Sequence, residues 1–221
     1  MSFLLDYCTF QELTPELVEE CENFTCQKDK DIEQFFLNEY AEYAKQLLGK
    51  SYCFVKDEDG KRKIACAFTV ANSSIKVDNL PNKKRNKLNR KIPHAKRRSQ
   101  YPAVLVGQLA VFDEFKGLHI GDEVMDFIKA WFIDPLNKTG CRYIIVDAVN
   151  HEKVIDYYNN NGFNFIFSSD QEEIKYMTHS ADKISFWRKM QYSIFPHKNP
   201  NNIFRKTRLM FFDLIVLYSK A

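Results

Sequence analysis

The stretch that decides the fold is Val104-Leu105-Val106-Gly107-Gln108-Leu109-Ala110-Val111-Phe112, followed by Asp113-Glu114-Phe115-Lys116-Gly117-Leu118-His119-Ile120-Gly121-Asp122. Its first nine residues are almost all apolar, as expected of a central strand buried on both faces. Gly117 and Gly121 mark a turn, and Val124, Phe127, Ile128 and Trp131 then repeat at helical spacing. A buried strand thus passes through a glycine-containing turn straight into a helix. The first amides of such a helix have no partner inside it, and the helix dipole adds positive potential at that end. Glycines let a bulky anion reach the backbone. The arrangement suits a phosphate or pyrophosphate. Taken alone, Gly-x-x-x-Gly after a strand also fits an ordinary tight turn.

Downstream, Tyr143 to Val149 reads as a second buried strand, and His151 to Asn160 as a short helix that ends at Asn161-Gly162. Phe163 to Phe167 is expected to be a strand, and Leu209 to Tyr218 a long closing strand. Between them, residues 168–206 carry one expected helix, around Ala181 to Met190. Upstream, Cys8 to Leu13 is an opening strand, and Thr14-Pro15 has the form of an N-cap followed by proline at the first helical position. Ile32, Phe35, Phe36, Tyr40, Tyr43, Ala44 and Leu47 form one apolar helical stripe that Gly49 is expected to stop. Tyr52 to Val55 and Ile64 to Ala71 read as strands of a hairpin turning at Asp59-Gly60. Residues 72–101 read as a polar connection without apolar period. The order β-α-β-β-β-α-β-α-β-β describes an α/β (α+β) domain, a sheet with helices on its faces.

Two segments together resemble the GNAT superfamily of N-acetyltransferases. The first is Leu109-Ala110-Val111 with Lys116-Gly117-Leu118-His119-Ile120-Gly121, which is similar to the family's acetyl-CoA motif, Arg/Gln-x-x-Gly-x-Gly/Ala after a strand ending in Leu-Ala-Val. Lys116 takes the Arg/Gln place, His119 the middle glycine and Gly121 the last. The second is Asn150…Tyr157-Tyr158-x-x-x-Gly162-Phe163, which resembles the family's Asn…Phe-Tyr-x-x-x-Gly-Phe. The resemblance implies a mixed, mostly antiparallel sheet with acetyl-CoA between two central parallel strands. It implies that main-chain groups at Leu109, Ala110 and Val111 pair with the pantetheine arm. The loop Lys116, Gly117, Leu118, His119, Ile120, Gly121 and Asp122 would hold the pyrophosphate, with Asn150 and Tyr157 also at the cofactor. Tyr158 would be the catalytic acid that protonates the departing thiolate. The Cβ of His119 predicts a negative φ and a slightly wider loop. Asp122 and Glu123 stand at the helix start, and their side chains are expected to point away from a phosphate. Asp147 and His151 could serve as a base through water but are read as structural or solvated.

The acceptor rests on a third feature. Residues 83–98 read KKRNKLNRKIPHAKRR, nine cations (Lys83, Lys84, Arg85, Lys87, Arg90, Lys91, Lys96, Arg97 and Arg98) and no acid. The chain's net charge is only +3, so this run is a local basic patch on an otherwise acidic protein. A basic segment before Tyr101-Pro102, with Phe24-Thr25-Cys26 ahead of an amphipathic helix, looks like the branch of GNAT toxins that acetylate aminoacyl-tRNA. That resemblance implies an RNA surface, acetyl transfer to the amino group of an aminoacyl-tRNA, and an antitoxin partner. The other readings are an N-acetyltransferase of a small amine or protein amino group, and a non-catalytic RNA-binding module on the same scaffold. Residues 168–206 run longer than that branch usually has there. They are expected to extend the core or form a homodimer face, or else to cover the acceptor pocket.

Length and composition bound these readings. A chain of 221 residues with 45% hydrophobic and 14% aromatic side chains fits one folded domain, residues 1–221, with a basic insertion at 78–101 and an extended connection at 168–206. No run of apolar residues is long enough to cross a membrane. The opening Met-Ser-Phe-Leu-Leu-Asp lacks the basic and apolar regions of a signal peptide. Cys8, Cys21, Cys26, Cys53, Cys66 and Cys141 show no metal-ligand spacing and are expected to be buried free thiols of a cytoplasmic protein, with no bound metal.

Overall fold

The computed structural model describes residues 2–78, 80–89, 92–95, 98–178 and 205–218. Its elements are α1 (Phe3–Tyr7), β1 (Cys8–Glu12), α2 (Pro15–Glu20), α3 (Lys30–Gln34), α4 (Tyr40–Lys45), β2 (Lys50–Glu58), β3 (Lys61–Lys76), α5 (Asn82–Asn89), β4 (Gln100–Val111), α6 (Ile120–Ile133), β5 (Tyr143–Val149), α7 (Glu152–Asn160), β6 (Asn164–Phe165), α8 (Asp170–Thr178), β7 (Thr207–Asp213) and α9 (Ile215–Tyr218). Among the described residues these strands form one seven-stranded sheet in the order β1-β2-β3-β4-β5-β7-β6. The chain gathers into two compact units, Met1–Ser73 with Ala103–Ile144 and Leu214–Ala221, and Ser74–Pro102 with Ile145–Asp213.

In the first unit both faces of the β2–β3 hairpin are covered, which is why its strands lack a polar face. One face is aromatic: Phe10 lies 4.5 Å from Phe127 and 5.3 Å from Trp131, ring centre to ring centre, and Phe54 lies 4.9 Å from Phe127. The other packs Cys53, Val55, Ile64 and Ala67 against Leu17, Phe24, Phe35, Phe36 and Tyr40. Ile64 and Ala67 share a face although they are three apart. A bulge causes this: Phe54 pairs with Cys66 but Val55 with Ile64, so Ala65 is the extra residue. The hairpin turns at Asp59 and Gly60, both at positive φ, the geometry a two-residue turn requires. Thr14 caps α2 through its hydroxyl, which accepts from the Leu17 amide. The cysteines are free, and Cys21, Cys26, Cys53 and Cys66 are buried. Burial pushes the Cys53 thiol up to about 12.

Several local expectations are corrected. The stripe from Ile32 to Leu47 is not one regular α-helix, because Phe35–Glu39 makes a π turn between α3 and α4. The wider turn rotates everything after it, so Leu47 is 90% exposed rather than part of the stripe. Leu47, at φ 58, is also the left-handed residue that follows the helix. Gly49 serves another purpose: a Cβ there would lie 3.2 Å from the Val70 carbonyl and from Thr69 Cγ2. The connection 72–101 contains the end of β3, the helix α5 and the start of β4, with Ile75, Val77 and Leu80 buried. The strand expected over Phe163 to Phe167 is reduced to β6, and α8 forms where no helix was expected. The helix expected at 181–190 lies outside the described residues. The closing strand ends at Asp213, and Ile215–Tyr218 turns helical, since Val216 and Tyr218 are exposed and an apolar run alone does not separate strand from helix. Among the described residues no helix is long and apolar enough to cross a membrane.

Candidate functional site: a phosphate-sized loop and a tyrosine helix

The loop belongs to the first unit. The chain leaves β4, donates the Phe112 amide to the Ala65 carbonyl at 3.1 Å, and makes one 3-10 turn at Asp113–Phe115. Gly117 then takes φ +86, with open space where a Cβ would point. His119 takes φ 56 and ψ 18 as the N-cap of α6. This reverses the negative φ expected of a residue with a Cβ: His119 occupies the left-handed conformation that glycine favours. Its carbonyl accepts the Asp122 amide at 3.0 Å, so the helix starts at once. Val111, Phe115, Lys116, Gly117, His119, Ile120 and Gly121 line a cavity of about 260 Å³. That is smaller than the several hundred Å³ typical of a pocket for a whole ligand and fits a diphosphate at a helix N-terminus.

Charge around the cavity is arranged locally. The Lys116 ammonium pairs with Asp113. The Asp113 carboxylate also accepts from the Thr25 hydroxyl and the Gln27 amide, both at 2.8 Å. The Lys116 bond first, then those of Gln27 and Thr25, hold Asp113 down at about 2. Asp113 therefore ties the segment Thr25–Gln27 to the loop and takes up part of the Lys116 charge. Glu123 is turned onto α1, where it accepts from the Leu4 amide at 2.8 Å, the Phe3 amide at 3.0 Å and the Ser2 hydroxyl at 2.9 Å. Burial works to raise its pKa, and these bonds outweigh it, so the group ends below the usual range. Asp122 is exposed, 3.7 Å from the His119 ring. Ala110 is buried in the core, while Leu118 is exposed and lies outside the cavity lining. Phe115 lines the cavity and Asp113 braces it through Lys116, neither marked by the sequence reading, although the Asp113–Lys116 spacing of three is a readable pairing signal.

Tyr157 and Tyr158 belong to the second unit, on α7. The Tyr158 ring packs between Tyr157 at 5.0 Å and Phe163 at 5.4 Å. Among the described residues its hydroxyl has no hydrogen-bond partner, and burial alone pushes its pKa up to about 12. The phenol therefore stays protonated throughout the neutral range. Asn150 precedes α7; its amide donates to the Lys206 carbonyl at 2.8 Å and its side-chain Nδ2 to the Arg205 carbonyl at 2.9 Å. Gly162 takes φ +80, and a Cβ there would lie 3.0 Å from the Phe212 ring. Asp147 and His151 are exposed.

The basic run is also in the second unit. Lys83, Lys84, Arg85 and Lys87 lie on α5, and Arg98 is exposed just before β4. Among the described residues none of these cations is paired with a carboxylate; Arg85 donates to Asn82 at 2.7 Å. Arg90, Lys91, Lys96 and Arg97 lie outside the described residues.

No family model matches the sequence, and no curated protein matches it. Solved structures do match by shape. A tyrosine-to-phenylalanine mutant of KacT superimposes with TM-score 0.60 at 14% identity, over 98% of this chain and 100% of that one. AtaT complexed with acetyl-methionyl-tRNAfMet gives TM-score 0.59 at 15% identity, over 96% and 98%. AtaTR bound with acetyl-CoA gives 0.56 at 16% identity, over 96% and 99%. The chain thus has the GNAT fold. Structures of KacT and AtaT are among those it resembles over nearly its whole length.

Proposed function

We propose that the protein is an acetyl-CoA-dependent N-acetyltransferase whose acceptor is the amino group of an aminoacyl-tRNA. The observation that carries this reading is the loop cavity at Val111–Gly121, whose backbone takes the glycine-like form even at His119. Acetyl-CoA would supply the acetyl group as a thioester. Main-chain groups at Leu109, Ala110 and Val111 would align its pantetheine arm, and the amides of Lys116 to Asp122 would hold the pyrophosphate. Main-chain donors on the strand would stabilise the oxyanion formed when the amine attacks. Tyr158 would deliver the phenolic proton to the sulfur as the C–S bond breaks, a role supported by a hydroxyl that is protonated and has no hydrogen-bond partner among the described residues. Asn150, whose Nδ2 and amide are engaged by the 205–206 carbonyls, would act at the cofactor mainly by fixing the start of α7.

The tRNA half of the reading is supported by AtaT complexed with acetyl-methionyl-tRNAfMet and by the cations of α5, which have no carboxylate partner among the described residues. An antitoxin partner is part of the same proposal, supported by the AtaT toxin bound to the C-terminus of the antitoxin AtaR.

The test is CoA release from acetyl-CoA with aminoacylated tRNA, with deacylated tRNA and with a panel of small amines. Release with aminoacylated tRNA alone is expected. If six phosphates are engaged, tRNA affinity should fall by on the order of a thousandfold between about 50 and 200 mM salt. Replacing Lys83, Lys84, Arg85, Lys87 and Arg98 by Ser should flatten that dependence and leave acetyl-CoA binding intact. Release with amines but not with charged tRNA would make the protein a small-amine acetyltransferase. Salt-sensitive tRNA binding without any acetyl-CoA binding would make it a non-catalytic RNA-binding module.

A further inference from the structure

The longest departure from the resemblance lies after β6, where α8 is built around a charge. Among the described side chains of α8 only Glu173 is buried, with no exposed surface at all. A carboxylate taken out of water is tolerated only when fully paired. Glu173 accepts from Arg208 Nε at 3.0 Å and from the Leu209 amide at 2.9 Å, and Arg205 Nε lies 3.3 Å away. Arg208 in turn reaches Asp170 at 2.7 Å and the Phe167 carbonyl at 3.2 Å, and lies 4.6 Å over the Phe165 ring. This network fixes the chain at 205–209.

The same stretch and the strand it opens hold α7 at both ends. At the front, Asn150 donates to the carbonyls of Arg205 and Lys206. At the back, the Gly162 turn rests on the Phe212 ring, and Phe163 packs 5.7 Å from it. Tyr158 lies between these two attachments, its carbonyl accepting the Phe163 amide at 2.9 Å.

We infer that Glu173 is a positioning residue for Tyr158, acting through the chain at 205–212 and the helix α7. The inference rests on the acetyl-transfer reading above for its catalytic readout. Removing the negative charge leaves two guanidinium groups facing a polar but neutral side chain, so the 205–209 stretch and its hold on Asn150 should loosen.

The experiment has two arms on the full chain. In the first, hydrogen exchange by mass spectrometry compares wild type with Glu173→Gln. Faster exchange is expected at 150–160 as well as 205–209, with α6 unchanged. In the second, CoA release with aminoacylated tRNA is measured in a double-mutant cycle with Tyr158→Phe. Glu173→Gln alone should lower kcat by roughly tenfold to a hundredfold, the scale of an ångström-sized misplacement, with acetyl-CoA affinity kept. In the Tyr158→Phe background the same change should cost less than about threefold, because its effect passes through the lost hydroxyl. Unchanged exchange at 150–160 overturns the inference, and so do losses that multiply. If Tyr158→Phe retains full activity, the catalytic reading of Tyr158 fails instead, and the exchange arm alone then decides whether Glu173 holds α7. Should Glu173→Gln not fold, Arg205→Gln, which leaves Arg208 on the carboxylate, must shift both arms in the same direction by less.

Discussion

The loop at Gly117–Gly121 and the helix carrying Tyr158 are built on different principles. The loop is exposed, would act through its main chain in the proposed reaction, and owes its form to backbone angles at two residues, Gly117 and His119. The helix would act through one oxygen atom, the Tyr158 hydroxyl, whose properties come from what is packed around it. In the loop a side chain can differ, with His119 where the motif has glycine, while the left-handed backbone, and with it the proposed anion site, is kept. In the helix a change of one atom should remove the function while leaving the shape alone.

That contrast can be broken in several ways. The largest effect is expected at Tyr158. Tyr158→Phe should lower turnover by ~10²–10⁴-fold, about 3–5 kcal/mol of barrier, with the acetyl-CoA dissociation constant nearly unchanged. Tyr157→Phe is the control and should stay active. Steady-state kinetics with calorimetry distinguishes them, and equal activity of Tyr158→Phe and wild type, with chemistry limiting, would end the catalytic role.

Gly121→Glu should show the reverse signature. A carboxylate in the cavity opposes the pyrophosphate, and juxtaposed like charges cost several kcal/mol, so the dissociation constant should rise on the order of a hundredfold. Tight binding of acetyl-CoA by this variant in calorimetry would remove the loop assignment.

The pH behaviour of the two regions should also differ in sign. Burial raises Tyr158 from 10.0 to about 12, so the hydroxyl keeps its proton as pH rises. The rate should therefore show no alkaline fall from this group up to about pH 10, the ordinary value for a phenol. Asp113 is instead depressed from 3.8 to about 2. What it contributes is present above the ordinary carboxylate value and is lost as pH falls from about 4 through about 2. Amide exchange at Gln27, followed down through this window, should report the release of Thr25–Gln27 from the loop.

The smallest effect is expected at His119. A non-glycine residue in the left-handed region costs roughly 1–2 kcal/mol, offset in part by the greater freedom of an unfolded glycine. His119→Gly should then raise stability by no more than about 1 kcal/mol in thermal unfolding and retain acetyl-CoA affinity. A clear loss of affinity would show that the imidazole itself contacts the cofactor.

Much of this was readable from residues close in the chain. The strand–glycine–helix segment from Val104 to Trp131, the strand Tyr143–Val149, the helix ending at Asn161-Gly162 and the Asp59-Gly60 hairpin depend on local pattern and on backbone angles that particular residues permit. Short-range sterics determine such features, so the sequence alone determined them, together with the family resemblance. Other features needed contacts between residues far apart in the chain. The φ of His119 is set by the turn it must complete, against its own preference. Glu173 and Arg208, 35 residues apart, give no periodic signal, yet they fix the start of β7. The bulge at Ala65 and the π turn at Phe35–Glu39 shift by one residue which side chains face the core. The raised pKa of Tyr158 exists only because burial removes water from its hydroxyl, and tertiary packing alone decides which groups lose water.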